Sequence, residues 1–488
     1  MRYCCLYLTT IFAFAISFSF SQKKHVADKE SLPNVIIIFM DDMGYGDAEC
    51  YGGFPYHTPY INKLAAQGMR FTNFYAAQAV CSASRSALLT GCYPTRIGIS
   101  GALNHQSKIA LNPGEETIAE LLKQKGYTTG IVGKWHLGCK EPYLPLQNGF
   151  DEYFGLPYSN DMWHFDFEGK AITDTANWKS NYPPLPLIEG NKMVREIKSL
   201  DDQGELTTLY TEHAVQFIRK NKEQPFFLYL AHNMPHVPLA VSSKFKNKSG
   251  AGLYGDVMEE IDWSVGEIMK TLDDLKLADN TLIILSSDNG PWITFGNHAG
   301  NTDGLHEGKG TVWDGGLKVP CIMRWPGKIK AGSIGNGLIT TMDILPTLAT
   351  ICKTKPPSNK IDGLDMTDYI TGKTAASPRD EFVYYYDKNN LKAIRKGNWK
   401  LTFAHVSQTR SHPENIGQDG FPGKYETDLV PLSLFNLITD PGEDRNVITR
   451  YPEVAEQLQM IAEKYRKALG DGLNNRVGDE VRPAARVE

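Results

Sequence analysis

The sequence predicts an α/β protein: a large, mostly parallel sheet sandwiched by helices, with a smaller C-terminal subdomain of antiparallel sheet plus helix. Four apolar, β-branched runs do not alternate in polarity, so both of their faces are buried, as in a parallel sheet. Helical patterns lie between them, and strand–helix alternation of this kind builds a layered α/β domain. After about Pro356 the pattern changes to short strands and one last helix.

The first run is Val35-Ile36-Ile37-Ile38-Phe39. The helix behind it opens at Thr58-Pro59, a capping residue with a first-turn proline, and closes at Gly68. Ile118, Leu121 and Leu122 mark one face of a second helix, which Gly126 ends just before the strand Thr129-Gly130-Ile131-Val132. Phe226-Phe227-Leu228-Tyr229-Leu230 is the third run. Val257, Ile261, Val265, Ile268 and Leu272 form an apolar stripe leading into the fourth, Leu282-Ile283-Ile284-Leu285. Glu381 to Phe403 reads as two strands around Lys388-Asn389-Asn390, with Val383, Tyr385, Leu391, Ile394, Trp399 and Leu401 as packing positions. The last helix presents Val454, Leu458, Ile461 and Tyr465 on one face, and residues from Asn474 on read as a solvated tail. The chain thus divides into residues 1–21, 22–370 and 371–488: an export signal, the large α/β domain and the C-terminal subdomain.

The N-terminus has Arg2, then an apolar run ending in Ser19-Phe20-Ser21, small residues at the spacing of a signal-peptidase site. The run is short for a spanning helix, and Gln22, Lys23 and Lys24 follow at once. The mature protein is therefore expected in the periplasm or medium, without stable membrane insertion. Hydrophobic residues make up 41% and charged residues 22%, as in a globular enzyme, and a net charge of -5 points to no nucleic-acid partner. A bound anion would have to be held by local positive charge. Of eight cysteines, Cys4 and Cys5 fall in the signal, and the others show no CxxC pair and no zinc pattern. Export permits disulfides, but the spacing does not pair them.

Each buried strand is followed by groups that are costly to bury. After the first come Asp41 and Asp42, after the second Lys134 and His136, after the third His232 and His236, and after the fourth Asp288 and Asn289. In open α/β sheets ligands bind beyond the carboxyl ends of the strands, so these groups converge on one site. Asp41, Asp42, Asp288 and Asn289 are hard oxygen donors, which select Ca²⁺ or Mg²⁺ over zinc, and gathered carboxylates call for a cation among them. Arg85, Lys134, His136, His236 and Lys309 surround them, whereas His232 reads as structural. Lys309 is flanked by glycines, which allow close backbone approach to a ligand. A metal with several cations suits an oxyanion such as sulfate or phosphate. Ser84 to Leu89 reads as a short helix closed by Gly91, placing Cys81 near a helix N-terminus, where an anion is stabilised.

The segment Cys81-Ser82-Ala83-Ser84-Arg85, continued by Ser86-Ala87-Leu88-Leu89-Thr90-Gly91, resembles the signature of the formylglycine-dependent sulfatases. Gly133-Lys134-Trp135-His136-Leu137-Gly138 resembles the second signature of that family. The likeness covers nearly the whole mature chain, through Asp41-Asp42-Met43-Gly44-Tyr45-Gly46-Asp47, His236-Val237-Pro238, Ser287-Asp288-Asn289-Gly290, Lys309-Gly310-Thr311 and Leu434-Phe435-Asn436-Leu437. By this resemblance Cys81 is oxidised to formylglycine by a maturation enzyme, and one Ca²⁺ is bound by Asp41, Asp42, Asp288, Asn289 and the modified Cys81. Arg85 supports the formylglycine, Lys134 and Lys309 hold sulfate oxygens, and His136 and His236 flank the reacting centre. Ser159, in Pro157-Tyr158-Ser159-Asn160-Asp161, matches a sulfate-contacting position of arylsulfatase A-like members. Many members carry Pro where this chain has Ala83.

The implied mechanism uses a hydrated aldehyde with two hydroxyls on one carbon. One hydroxyl, activated by Ca²⁺ and Asp288, attacks sulfur, and His236 protonates the leaving alcohol. His136 then deprotonates the second hydroxyl, so that the aldehyde re-forms and sulfate leaves. A phosphate or phosphonate monoester hydrolase of similar fold is the alternative, and a non-catalytic sulfated-glycan binder a further one, although neither needs Cys81. The expected substrate is a sulfated glycan, attacked from its end at a galactose- or N-acetylgalactosamine-type unit. Trp163, His164, Phe165, Phe167 and Trp178 could stack on sugars or pack their loop against the sheet.

Overall fold

In the computed structural model the four apolar runs are strands at the middle of one ten-stranded sheet. The structure describes Met1 and residues 32–52, 55–409, 414 and 416–487, without the side chain of Trp178. The export signal, residues 1–21, lies outside the described residues apart from Met1. Five parallel strands form the centre in the order Thr281–Ser287, Asn34–Met40, Phe226–Ala231, Thr128–Gly133 and Glu152–Gly155. Antiparallel neighbours, Cys321–Arg324 on one side and Leu185–Glu189 on the other, begin the flanks. The register brings the strand ends level. Met40 pairs with Ser287, Phe39 with Ala231, and Gly133 with Ala231.

Because side chains alternate along a strand, Ile36, Ile38, Leu228, Leu230, Ile283 and Leu285 share a core with the helices Pro59–Gln67, Leu206–Lys220 and Gly252–Asp274. Cys81–Thr90, Ile118–Lys123 and Ile344–Ile351 form a second group of packed helices. The helix Ile118–Lys123 starts with a capping box between Thr117 and Glu120.

Four expectations are corrected. The helix carrying Cys81 begins at Cys81 itself, so this residue occupies its first turn instead of preceding it. Thr58 does not cap the helix after it, because its hydroxyl accepts from the Glu49 amide. The Asp262 carboxylate caps that helix from another one, accepting from the N–H groups of Tyr60 at 3.1 Å and Ile61 at 2.7 Å. Between Glu381 and Phe403 there are three strands, Glu381–Tyr386, Asn390–Lys396 and Trp399–Thr402, because a turn at Gly397-Asn398 folds the second half back. Ser433–Asn436 completes this antiparallel sheet, and the helix Pro452–Leu469 packs on it through Ala455, Leu458, Ala462 and Leu469. Lastly, the residues after Asn474 are no free tail. Arg476–Val477 pairs with Gly470–Asp471, and Ala485–Arg486 pairs with Ile109–Ala110. Among the described residues all six cysteines are free thiols.

Candidate active site

The level strand ends place the expected groups side by side. Asp41 and Asp42 follow Met40, Lys134 follows Gly133, and Asp288 follows Ser287, all buried. Asp42 and His136 adopt left-handed backbone with φ of 67° and 63°, a conformation that costs free energy in non-glycine residues and gathers at functional sites. The Asp42 amide donates to Asp288 Oδ1 at 3.2 Å, holding the two strand ends together.

Cys81 enters from the helix Cys81–Thr90, whose first turn has no side-chain cap. Its Sγ lies 3.3 Å from Asp41 Oδ1 and 3.4 Å from Lys309 Nζ. Lys134 donates to the Asp41 carboxylate and, at 3.1 Å, to Ser159 Oγ. Lys309 binds both oxygens of Asp42, at 2.7 and 2.9 Å. Arg85, fully buried, reaches Asp288 Oδ2 through Nε at 3.0 Å and Nη2 at 2.8 Å, and donates to the Lys134 carbonyl. Three carboxylates thus face three fixed cations, an arrangement in which buried charge is paired. Gly308 serves a backbone approach rather than a ligand, since a Cβ there would stand 2.4 Å from the Pro291 carbonyl oxygen.

The electrostatics follow from burial and these partners. For Asp41 burial, which raises its pKa, is outweighed by Lys134, His236, Arg85 and Lys309, which hold it well below the usual carboxylate range. Burial and the Asp41 charge push Asp288 upward. Burial and Asp41 likewise push the Cys81 thiol well up, so the unmodified side chain is protonated and weakly nucleophilic. His136 Nε2 stands 2.7 Å from the Leu103 carbonyl, which only accepts, so that nitrogen carries the proton and Nδ1 keeps its lone pair. His236 Nδ1 faces the Val237 carbonyl at 2.5 Å, and its Nε2 lies 3.6 Å from Asp42 Oδ2. Burial, then Lys134 and Arg85, lowers His136; burial, then Lys309, lowers His236.

Asp41, Asp42, Cys81 and His236 bring ligand atoms within 4.8 Å of one another, a buried group that could hold a metal ion. Asp288 adjoins it through the Asp42 amide, and Asn289 donates to Asp42 Oδ1 at 2.7 Å. The Asn289 amide oxygen is buried without a hydrogen-bond partner. Carboxylates with a spare amide oxygen fit a hard divalent cation.

A cavity of about 190 Å³ opens over this group, lined by Cys81, His136, Ser159, His236 and Lys309. It is also lined by Ala102, Asp161, Met162, Trp292 and Tyr386, which sequence reasoning missed as site residues. Asp161 and Trp292 lie within three residues of groups singled out, Ser159 and Asn289, so adjacency was the available signal. Tyr386 comes from the C-terminal sheet, and no local pattern points to it. His232 is buried with Nε2 3.2 Å from Ser264 Oγ, as expected of a structural residue. In the aromatic loop Trp163 is fully buried against Phe165, and Phe167 stands 4.9 Å from Phe295, whereas His164, Phe165 and Phe167 stay half-buried.

The sulfatase family model matches residues 33–354, and a model of the C-terminal region of aryl-sulfatase matches residues 377–484. The chain is 35% identical over 474 residues to N-acetylgalactosamine-6-sulfatase of Canis lupus familiaris, covering 90% of this chain and 87% of that one. It is 34% identical over 444 residues to arylsulfatase A of Homo sapiens, covering 88% and 87%. The crystal structure of the sulfatase PsFucS1 from Pseudoalteromonas sp. superposes with a TM-score of 0.80 at 29% identity, covering 89% and 90% of the two chains. The chain belongs to the sulfatase family, and it is an enzyme of the sulfuric ester hydrolase class.

Proposed function

We propose that the enzyme removes sulfate from the end of a sulfated glycan, at a galactose- or N-acetylgalactosamine-type unit, using formylglycine made from Cys81 and one calcium ion. The observation that carries this reading is the cavity lined by Cys81, Ser159, His136, His236 and Lys309, with Lys134 bound to Ser159 behind its wall. Its volume of about 190 Å³ suits one terminal sugar unit, and the name of the canine relative, N-acetylgalactosamine-6-sulfatase, supports the sugar class. Asp41, Asp42, Asp288 and Asn289 would hold the calcium, with the modified Cys81 completing the set. When bound, the ion would neutralise oxyanion charge, and formylglycine would supply the hydroxyl nucleophile that a protonated thiol does not.

The chain's own residues do the rest. Lys134 and Lys309 hold the sulfate oxygens and offset charge as the ester cleaves. His236, whose Nε2 faces Asp42, is placed to give a proton to the leaving oxygen. The His136 lone pair at Nδ1 takes a proton in the second half of the cycle, a role its bond to Leu103 orients. Arg85 fixes Asp288 and the turn at Lys134. The cysteine must be read by a maturation enzyme at Cys81-Ser82-Ala83-Ser84-Arg85. We read the N-terminal residues as an export signal that brings the enzyme to polysaccharides in the periplasm or medium; among the described residues no helix is long and apolar enough to cross a membrane.

The test is mass spectrometry of the Cys81 peptide together with turnover of sulfated galactosides, with and without chelator. Aldehyde at Cys81 and calcium-dependent release of sulfate are expected. Equal turnover by protein carrying an unmodified thiol, or by thoroughly chelated enzyme, would refute the mechanism, and phosphate ester turnover alone would refute the reaction class.

A further inference from the structure

We infer that Asp161 and Trp292 are the sugar-reading groups of the cavity: the Asp161 carboxylate accepts a hydrogen bond from a free hydroxyl of the sulfated ring, and the Trp292 indole N–H donates one to it. This rests on the glycan reading above and adds what selects the sugar. Both residues line the cavity with Cys81, His236 and Lys309. Asp161 Oδ1 and Trp292 Nε1 are buried with no hydrogen-bond partner. Native proteins rarely leave such atoms unpaired, and each one calls for a reason. His136, which lines the same cavity, carries a third such atom at Nδ1, and its reason is proton transfer. Trp292 takes no part in the sulfate chemistry described, and Asp161 touches it only through its charge beside His236 and its contact with Ser159, which leaves Oδ1 for the carbohydrate.

Both groups are held ready. The Lys179 ammonium donates to the Asp161 carbonyl at 2.9 Å, and the Met162 amide closes the turn onto the Ser159 carbonyl at 3.1 Å. Gln203 locks the same turn: its Oε1 accepts from Asn160 Nδ2 and its Nε2 donates to the Asn160 backbone carbonyl, both at 3.0 Å. The Trp292 ring lies 5.6 Å from His236 and 4.9 Å from Phe295, with Lys309 Nζ 4.7 Å from its centre. Groups fixed before binding lose little entropy on binding. An acceptor and a donor together match a sugar hydroxyl, which can both donate and accept. An aryl sulfate has no such hydroxyl beside its ester, and a second sulfate on the ring would meet the Asp161 charge. The ligand class is therefore a sugar carrying one sulfate with a free hydroxyl near it.

The experiment measures kcat/KM of the matured enzyme on galactose 6-sulfate, on its single deoxy analogues and on 4-nitrophenyl sulfate, for wild type, Asp161→Asn and Trp292→Phe. In each variant the ratio of sugar sulfate to aryl sulfate turnover should fall about tenfold or more. One deoxy analogue should lose a similar factor on wild type and little further on Asp161→Asn, because enzyme and substrate changes remove the same bond. Deoxy analogues all turned over like the parent, or a ratio that neither variant moves, would overturn the inference while leaving the glycan reading standing. A wild type that cleaves aryl sulfate and no sulfated sugar would overturn both. The deoxy series needs no variant, so it decides even where a substituted protein does not fold.

Discussion

Asp41 serves two roles, and the effects of replacing it follow from both. It accepts from the Lys134 ammonium, faces Arg85 at 3.7 Å, and stands 3.3 Å from Cys81. In Asp41→Ala the buried Lys134 would keep only Ser159 as a side-chain partner, and an uncompensated buried charge costs about 3–5 kcal/mol. Activity should vanish and urea unfolding should show a loss of that size; a stable, active variant would remove Asp41 from the site. Cys81 differs, because its sulfur serves chemistry and its position in the first helical turn favours alanine. Cys81→Ala should be inactive, with a stability within about 1 kcal/mol of wild type. Measurable sulfate release by the purified variant would show that the residue is not the source of the nucleophile.

At the scale of elements, the strand Phe226–Ala231 hands over to His232, which faces the helix Gly252–Asp274 through Ser264. Ser264 in turn accepts from Thr211 of the helix Leu206–Lys220 at 2.6 Å. Burial depresses the His232 pKa to about 4, below its ordinary 6.5. The folded state therefore binds this proton less readily than the unfolded chain, so stability is present above pH 6.5 and is lost as pH falls toward 4. The loss amounts to about 3 kcal/mol at 1.36 kcal/mol per pH unit. Urea unfolding at pH 7 and pH 4.5 should show a weaker acid loss in His232→Gln than in wild type; parallel losses would refute the assignment. The same elements show what a single sequence reveals. The central strands were legible because a run of β-branched and aromatic residues buried on both faces has few other solutions, and their polar successors were legible because charge after such a run needs a reason. Thr58 misled because a helix can be capped by a distant carboxylate, here Asp262, 204 residues away (262 − 58). The sequence around Asp161 and Trp292 was visible, but that both line one cavity and carry unpaired atoms depends on tertiary placement.

For the molecule as a whole, the last residues act as a strap across the face that carries His136. Arg482 forks onto the buried Glu115 at 2.6 and 2.7 Å, and its amide donates to the Arg96 carbonyl. Gly98, at φ 67°, lets the strap lie close, since a Cβ there would stand 2.7 Å from the Ala484 nitrogen. Ala485–Arg486 then pairs with Ile109–Ala110, the Val487 amide donates to the Lys108 carbonyl, and Tyr143 donates to the Arg486 carbonyl. The segment so fixed contains Leu103, whose amide donates to Ser82 Oγ at 2.8 Å and whose carbonyl holds His136. Val487 lines the same small cavity as Leu103 and His136. The strap thus ties down the segment whose Leu103 meets both Ser82, the neighbour of Cys81, and the proposed base His136. Deleting residues 480–488 should lower kcat about tenfold or more while KM changes less, because misplacing a proton-transfer group by a fraction of an ångström slows the chemistry more than it weakens binding. Gly98→Ala, which keeps every strap residue but forces it outward, should give a smaller drop in kcat of the same kind. Steady-state kinetics on one sulfated galactoside checks both. A truncated enzyme with wild-type kcat and only a lower melting temperature would show that the strap holds the fold together without orienting His136.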